Sequence, residues 1–571
     1  MNRIFIFILV LISFFLLFKK ENQTPDIRIT STLTNNSAVS VDKKITRPIE
    51  KILFQIGEIK DIKSESVYEK NIIDIYLKKK LFLNKGDIKD EIIRNLLFEK
   101  EKIGSGAEIL LDENFDKTYD ALIGVIAQNE DYSELYKKTE NIKDEFLKLK
   151  RRNKVIIKGD EEQTLYLFFK SPYFSNLKLT SEIIKKEVSN INANFGGGYY
   201  ETKNNFIEMT SNNKFQTEND IKERIINIEG KPVKLNDIFE IKKTVKIPKT
   251  KLTLIDGKRG LILAVSKMNG ANGFLFNREI CNLVQKLNKK YGGVEIVYNK
   301  KLFQNNVLYF EIFANNGASF SETKNIVLKG IEFLKNKNVK NYTAFIGYYP
   351  PKINKNFFEG VEKPNFAAFI IKTKNKNKVK FEFEKFLKNN FSAVQIKTNY
   401  KNPLKIKISN KNFDNFIKQK EDFKKELAKI REISFISDNW GSETFSLGIK
   451  INENLSALFG ISPVEIFNFL NGFYNGITLT YYFKDDVRIP VILKGKDFIG
   501  INSLAIYSSK LKKIIPIGEF AEVKPILSYP KILRSDNEYS VIFEIEPNNL
   551  FIKNKIIKIL KNNYNYEILK N

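Results

Sequence analysis

A single apolar segment constrains this chain more than any other feature. Residues Ile4 to Phe18 are all apolar or hydroxyl-bearing, Lys19 and Lys20 follow them, and no second stretch of this kind occurs in the 571 residues. As a helix the segment spans about 22 Å, short of the roughly 30 Å hydrocarbon core, and the flanking lysines extend its reach by snorkelling. We expect a membrane anchor over residues 1–22. One such helix can hold a large body at a membrane but cannot by itself build a channel or pump.

Two alternatives to an uncleaved anchor stay open. The segment is within the upper length range of a cleaved signal peptide, although no small-x-small cleavage site follows Phe18. A helix buried in the body is the other alternative. Under the anchor and the signal-peptide interpretations alike, the rest of the chain is exported, so we expect the cytoplasmic (inner) membrane with the body in the periplasm.

Composition excludes several classes of function. The chain has no histidine and one cysteine, Cys281, so a Ser-His-Asp triad, a Cys-His pair, a His-ligated metal and a disulfide framework are chemically impossible. The formal charge of +28 invites a nucleic-acid function, but the lysines are scattered and lack interleaved aromatic residues. We expect no enzymatic activity, no cofactor, no metal site and no nucleic-acid partner. A membrane-facing or anion-attracting surface stays open as another role for the charge.

Local patterns in the first hundred residues predict an α+β fold. Ile27 to Thr32 alternates like a strand, and Ser40 to Ile56 has helical periodicity that Pro48 should kink or break. Two paired strands follow at 59–67 and 72–77, and a second helix follows over 85–98. This order of elements is typical of a split-βαβ sandwich with helices on one face of a mostly antiparallel sheet.

The chain also resembles itself at long range. The stretch from Asn35 to Ala38 has a counterpart in Asn315 to Ala318, and the stretch from Val233 to Phe239 has one in residues 515–521. The offset is 280 residues in the first case and 282 in the second, and Ile49-Glu50 has a counterpart 282 residues later in Ile331-Glu332. Independent segments with nearly the same offset indicate two homologous halves that meet near residues 299–307, each containing more than one domain.

The motifs then resemble those of the resistance-nodulation-division (RND) efflux permeases, in their periplasmic parts. The clearest match is Thr46-Arg47-Pro48-Ile49-Glu50, which resembles a stretch at the end of the first helix after the membrane anchor. Further matches keep the family order: Phe195 to Gly198, Val233 to Ile241, Lys267 to Asn272, Ala457 to Ser462, Phe473 to Gly476 and Val487 to Val491.

The resemblance implies two halves, each with two split-βαβ (ferredoxin-like) porter subdomains and one docking insertion. The expected boundaries are 24–116 for porter subdomain 1, 117–166 with 251–300 for subdomain 2, 167–250 for the first docking subdomain, 307–365 for porter subdomain 3, 366–445 with 526–571 for subdomain 4, and 446–525 for the second docking subdomain. The membrane bundles that such permeases carry between and after the halves have no counterpart here, so we do not expect proton-driven transport by this chain alone.

The function that the resemblance implies is the extracytoplasmic part of an efflux transporter for amphipathic small molecules or drugs. The implied partners are two further copies in a homotrimer, a periplasmic adaptor and an outer-membrane channel. A separately encoded membrane bundle, beside which the chain would work, stays open as an alternative partner. The alternative is a degenerate relative that binds or scaffolds envelope components without transport.

Four aromatic residues fall near the substrate pocket of the family when the motifs are aligned. They are Tyr119, Phe345, Tyr348 and Phe369. Lys158 falls at a place that is often aromatic in drug pumps. Aromatic walls suit bulky amphipathic compounds because burial and stacking make few directional demands. The alternative is that these side chains, on alternating strands of a Phe-rich chain, belong to the core.

Overall fold

The fold is given by a computed structural model that describes most of the chain. It covers residues 25–569 with the exception of 79–84, 113–117, 129–130, 171–180, 193–195, 204, 211–214, 216, 229, 299–306, 353–361, 392–393, 399–403, 431–432, 442, 485–486, 497–499, 548–555 and 561–564. The predicted anchor and most of the predicted junction between the halves lie outside these residues. No helix in the described part of the chain is long and apolar enough to cross a membrane.

The first subdomain confirms the elements predicted for it. Its strands and helices are β1 (Ile27–Thr32), α1 (Ala38–Val41), a π-helical turn (Asp42–Thr46), α2 (Arg47–Leu53), β2 (Ile59–Val67), β3 (Lys70–Leu77), α3 (Lys85–Phe98) and β4 (Glu108–Leu111). The strands lie in the antiparallel order β2-β3-β1-β4. This is the order of a split-βαβ unit, with the isoleucines of one strand face packed against the helices.

The predicted break near Pro48 is the π-helical turn just before it. Proline has no N–H to donate to the carbonyl of residue 44, four positions back. That carbonyl instead accepts a hydrogen bond from the backbone N–H of Gly104 at 2.9 Å. Thr46 reaches the Ser66 hydroxyl at 2.8 Å, which ties the turn to β2. The helix therefore continues past the proline because outside groups replace the lost bond.

The rest of the first half contains a second porter subdomain and the first docking insertion. In chain order its elements are β5 (Ala121–Ala127), α4 (Tyr132–Phe146), β6 (Arg152–Lys158), β7 (Gln163–Phe169), α5 (Ser181–Ile191), β8 (Gly196–Glu201), β9 (Phe206–Thr210), α6 (Glu218–Glu223), β10 (Ile225–Ile228), β11 (Lys231–Lys234), α7 (Leu235–Ile238), β12 (Phe239–Val245), β13 (Leu252–Ile255), β14 (Lys258–Lys267), α8 (Gly273–Lys290) and β15 (Val294–Tyr298). The porter strands lie in the order β15-β5-β14-β6.

The second half repeats these orders. Its elements are β16 (Val307–Phe313), α9 (Phe320–Asn336), β17 (Tyr342–Ile346), β18 (Phe366–Lys372), α10 (Lys376–Asn390), β19 (Gln395–Thr398), β20 (Leu404–Asn410), α11 (Phe413–Ala428), β21 (Ile433–Asp438), β22 (Thr444–Ile451), α12 (Glu453–Phe459), α13 (Pro463–Tyr474), β23 (Ile477–Lys484), β24 (Val487–Lys494), β25 (Ala505–Ser508), β26 (Lys513–Pro516), β27 (Ala521–Ser528), β28 (Lys531–Ser535), β29 (Glu538–Pro547) and β30 (Tyr566–Leu569). The order β17-β18-β16-β19 matches subdomain 1, and β30-β20-β29-β21 matches subdomain 2.

The four porter subdomains form two nine-stranded sheets, and each sheet draws on both halves. In the first sheet, β28 of the second half pairs with β2, which joins subdomain 1 to subdomain 4. In the second sheet, β13 of the first half pairs with β17, which joins subdomain 2 to subdomain 3. Neither half can therefore form its complete sheets without strands from the other half.

The bounds and pairing of the strands correct four predicted boundaries. β18 pairs with β16 and β17 along its length, so residues 366–398 belong to subdomain 3 and not to subdomain 4. The prediction cut this ladder because Phe366 to Lys372 is apolar enough to begin either unit. The boundaries at 166/167, 445/446 and 525/526 also cut strands, because β7 begins at Gln163, β22 begins at Thr444 and β27 ends at Ser528.

The docking insertions meet in a shared four-stranded sheet. It has the order β12-β7-β24-β23, and the halves join where β7 runs parallel to β24. Its core includes Leu167, Phe239 and Val491, all essentially inaccessible to solvent.

Candidate ligand-binding surfaces

The second sheet is apolar on both faces. Helices α4, α8, α9 and α10 cover one face and pack their apolar side chains against the strands there. On the opposite face a separate apolar cluster spans subdomains 2 and 3. We call this cluster the apolar face; it consists of Tyr119, Leu122, Ile126, Ile255, Ile262, Ala264, Tyr309, Phe345, Tyr348, Phe366, Ala368 and Ile370.

Three of the four predicted aromatic residues lie together on the apolar face. Tyr119, Phe345 and Tyr348 are 5%, 0% and 3% exposed, and the Phe345 and Tyr348 rings meet edge to face with centroids 5.6 Å apart. Phe369 is not among them. It lies under α9 and α10 on the helix side, where its ring meets Phe383 at 5.3 Å.

The register of β17 and β18 explains why Phe369 does not lie on the apolar face. Phe345 lies opposite Ala368, whereas Phe369 lies opposite Ala344. Directly opposed residues point to one face of a sheet and adjacent residues point to opposite faces. Phe345 and Phe369 therefore face away from each other, and Phe369 supports the sheet from behind.

A hydrogen bond fixes Tyr348 within the apolar face. Its hydroxyl contacts the Thr253 hydroxyl, and burial raises the pKa of Tyr348 well above its ordinary value. Gly159 has φ +84° and lies so close to both hydroxyls that a Cβ there would clash with them. Lys158, the preceding residue, is opposite Ile262 and hence on the same side of the sheet as the apolar face. A cation therefore borders this surface.

The apolar face encloses little free volume in this conformation. A cavity of about 40 Å³ lies between its side chains, close to the volume of one water molecule. The apolar lining includes Leu122, Gly124, Ile255, Ile262, Val297, Phe345 and Ile370. A bulky ligand can therefore bind here only if the face opens.

The corresponding face of the first sheet is charged and open. It encloses a cavity of about 290 Å³, whose lining includes the charged residues Arg28, Asp61, Lys63, Glu65, Asp74, Lys407, Asp536 and Glu567. Arg28 donates to both carboxylate oxygens of Asp74, at 2.6 and 3.0 Å. Lys407 lies 3.3 Å from the Asp536 carboxylate. We call this surface the charged face.

Cations on the charged face are incompletely neutralised. The Lys63 ammonium lies 4.8 Å above the Tyr76 ring, and burial, followed by repulsion from Lys407, lowers its pKa. Burial lowers the pKa of Lys531 to about 7, and Lys363 reinforces the effect. No sequence motif predicted this surface. Asp61, Lys63 and Glu65 alternate along β2 and were the signal that could have revealed it.

Ion pairs join the two sheets across their open faces. Lys363, in the loop before β18, contacts the Glu65 carboxylate on β2. Lys397 on β19 lies 3.2 Å from Glu544 on β29. Burial would raise the pKa of Glu65, but attraction to Lys363 and other cations outweighs it, and the net pKa is lowered. The sheets are therefore held together partly by charge.

A second set of charges is buried on the helix side of the first sheet. Glu50, the last residue of the Thr46-to-Glu50 motif, accepts from Arg534 on β28 at 2.9 Å and from Ser64 at 2.6 Å. Asp42 lies 3.7 Å from the same guanidinium and 2.8 Å from Arg47. Burial raises the pKa of both carboxyls despite these cations. The motif thus serves to join subdomain 1 to subdomain 4.

Within the part of the chain that the structure describes, no group of three or more acidic or cysteine side chains could hold a metal ion. Comparison with known proteins gives one match to a protein family. The model of the AcrB/AcrD/AcrF family matches residues 21–307, which is half of the chain. No curated protein matches the sequence.

Proposed function

Since this chain belongs to the AcrB/AcrD/AcrF family of RND permeases, we propose that it is the membrane-anchored, extracytoplasmic part of an efflux transporter for amphipathic small molecules. Its body lies in the periplasm and residues 1–22 hold it at the inner membrane. The observation that carries the proposal is the apolar face. Its side chains are at most 5% exposed and form a cluster separate from the helix-side cores of subdomains 2 and 3.

The chemistry of the apolar face suits amphipathic cargo. Aromatic and branched side chains line the cavity together with the polar residues Asp256, Asn341 and Thr343. Lys158 lies on the same side of the sheet, opposite Ile262. Apolar walls with a few polar groups are the usual composition of sites for small organic ligands. Opening requires that the ion pairs between the sheets break, because Lys363 and Lys397 both belong to subdomain 3.

We further propose that the chain acts as a homotrimer and that its docking subdomains bind a periplasmic adaptor and an outer-membrane channel. Chemical cross-linking in intact envelopes, followed by affinity purification, tests this assembly. A monomer that brings down no envelope protein would contradict it.

Ligand binding is tested by titrating the full chain with an environment-sensitive amphipathic dye. Val297 lines the cavity and is half-buried, so Val297→Phe should fill it and weaken dye binding about tenfold or more, a loss of ~1.4 kcal/mol. Val379 packs against the helix-side core and gives a control with the same change in volume.

Val379→Phe should leave the dye affinity of the folded protein unchanged. Equal affinities of the wild-type protein and Val297→Phe would place the dye elsewhere. In that case the alternative, a scaffold of the envelope without transport, would be favoured.

A further inference from the structure

The expectation that the lysines are scattered without interleaved aromatic residues fails on the outer side of α10. This side carries a stripe of lysines around one exposed phenylalanine. Lys374, Lys378, Phe381, Lys385 and Lys388 follow one another at alternating intervals of four and three residues. That spacing aligns them along one side of the helix, with Lys374 just ahead of its first turn. All five are exposed, Phe381 by 68%. We call them the lysine stripe.

The stripe is not a by-product of core packing. The opposite side of α10 is held in the core of subdomain 3 by Phe383 and Leu387, both 0% exposed. Phe381 takes no part in that cluster. A phenylalanine left in water gives up the roughly 1.5–3 kcal/mol that burial of such a side chain contributes, so a surface that later covers it would recover this free energy.

The charge around Phe381 is strongly positive. No acidic residue occurs from Lys363 to Phe381. Lys372, Lys376 and Lys380, which are not part of the lysine stripe, add further positive charge to this segment. The next acid, Glu382, lies 3.0 Å from Lys337 at the end of α9 and is thereby balanced. Glu384 is the next acid along the helix, and it is half-buried.

One class of partner matches both the charge and the exposed ring. Clusters of four to eight lysines bind anionic lipid headgroups, each contributing about 1 kcal/mol near the surface. An aromatic ring on the same side of a helix enters the boundary between headgroups and acyl chains. A single-stranded nucleic acid would need a series of stacking rings, which one phenylalanine does not provide.

We propose that the lysine stripe docks subdomain 3 on an anionic lipid bilayer. This contact is additional to the N-terminal anchor and does not depend on ligand transport. It would hold the second sheet, and with it the apolar face, at a fixed orientation to the membrane. The lysines attract the anionic headgroups, and the Phe381 ring inserts at the boundary between headgroups and acyl chains.

The test uses Phe381→Trp in the full chain as a local reporter. The sequence contains one other tryptophan, Trp440, which is 0% exposed and gives a constant background. The protein is reconstituted in vesicles of phosphatidylcholine, with or without phosphatidylglycerol, that contain lipids brominated on the acyl chains. We expect a blue shift and quenching of the new tryptophan in the anionic vesicles, and little of either in the zwitterionic ones. The anchor affects both vesicles equally and so cannot produce this difference.

A matched pair of variants assigns the effect to the stripe. Lys374→Gln, Lys378→Gln and Lys385→Gln together should lower the docked-to-undocked ratio about fivefold for each lysine removed. The control replaces Lys450, Lys512 and Lys513, exposed residues of the second docking subdomain, with the same loss of charge. It should retain the quenching. High salt should reduce the quenching in the reporter protein, because screening shortens the reach of the lysines.

Three results would overturn the proposal. Equal quenching in both kinds of vesicle would show that anionic lipid has no special role. Equal loss in the stripe and control variants would show that only net charge matters. A blue shift produced as strongly by duplex RNA or soluble polyglutamate, without vesicles, would make the stripe a site for an acidic macromolecule.

Discussion

The two nine-stranded sheets share one strand order and differ in what they expose. Both carry their helices on one face. The free face of the second sheet is apolar, nearly closed and lined by Phe345, Tyr348 and Ile370, whereas that of the first sheet is charged and open. The difference shows that topology sets where a surface lies but not what it binds. The side chains at alternate strand positions decide that.

The same contrast extends to the interior. The helix side of the second sheet is an apolar core, but the first sheet buries Asp42, Glu50 and Arg534 beneath its helices. The repeat in the sequence aligns Ile49-Glu50 with Ile331-Glu332, yet Glu50 is buried and Glu332 is exposed. The recurrence of strand order is what a duplication would leave, and the duplication itself stays a prediction.

The largest effect is expected from Arg534→Met. Removal of the guanidinium leaves Asp42 and Glu50 buried without their shared cation, which should cost about 3–5 kcal/mol of unfolding free energy. Urea denaturation measures the loss. Adding Asp42→Asn and Glu50→Gln should recover part of it, because the uncompensated charges then disappear. Stability unchanged in Arg534→Met would mean that the ionic network contributes nothing to the first sheet.

Phe345→Ala and Phe369→Ala sharpen the contrast between the two faces of the second sheet. Both side chains are fully buried, so each substitution should destabilise the protein by about 3–4 kcal/mol. Only Phe345→Ala should also change the affinity for an amphipathic dye, because Phe369 faces the helices. Dye titration of the two folded variants decides this, and a larger effect from Phe369→Ala would place the ligand on the helix side.

The charged face should respond to pH through Lys531. Its folded pKa of about 7 lies below the unfolded value of 10.5, so the unfolded chain binds more protons between these values. The unfolding free energy should therefore rise with pH from 7 to 10.5. Below pH 7 the folded protein bears the full cost of burying the charged Lys531. The groups around Lys531 are Glu65 and Asp438, which attract its charge, and Lys363 and Lys397, which repel it.

Lys531→Met removes that penalty. It should stabilise the protein by a few kcal/mol at pH 6, and its advantage should shrink towards pH 10. Thermal unfolding across this range measures the effect, and the absence of histidine keeps other side chains from titrating ordinarily near pH 7. If Lys531→Met stabilised the protein equally at every pH, the pKa of Lys531 would not be lowered in the folded state.

The smallest effects are expected from the loss of single tyrosine hydroxyls, and Tyr348→Phe is the larger of two such changes. The ring stays in place and only the hydroxyl contact with Thr253 is lost, so the cost should be about 1 kcal/mol. Tyr309→Phe is a matched change beside Glu311, at the edge of the same face, where the hydroxyl–carboxylate distance is 3.3 Å. Its cost should be smaller still, and unfolding midpoints compare the two variants.

Local structure could be predicted from the sequence, whereas the arrangement between distant elements could not. The periodicity of Ile27 to Thr32 and of residues 85–98 gives those elements with their bounds, and Pro48 marks the turn in the first helix. The pairing of β28 with β2 and of β13 with β17 depends on contacts between the halves, for which local pattern carries no signal. The family resemblance predicted that Tyr119, Phe345, Tyr348 and Phe369 lie near one pocket. In the structure the first three lie on the apolar face. Phe369 follows Ala368 by one residue along β18 and therefore points to the opposite face of the sheet.

The most direct test is a structure of the full chain with a bound amphipathic dye. We predict density for the dye on the apolar face, between Ile255, Phe345 and Ile370, with the Lys363–Glu65 contact broken as the sheets separate. Density in the charged cavity beside Lys63 and Lys407, or an empty apolar face at saturating dye, would contradict this account.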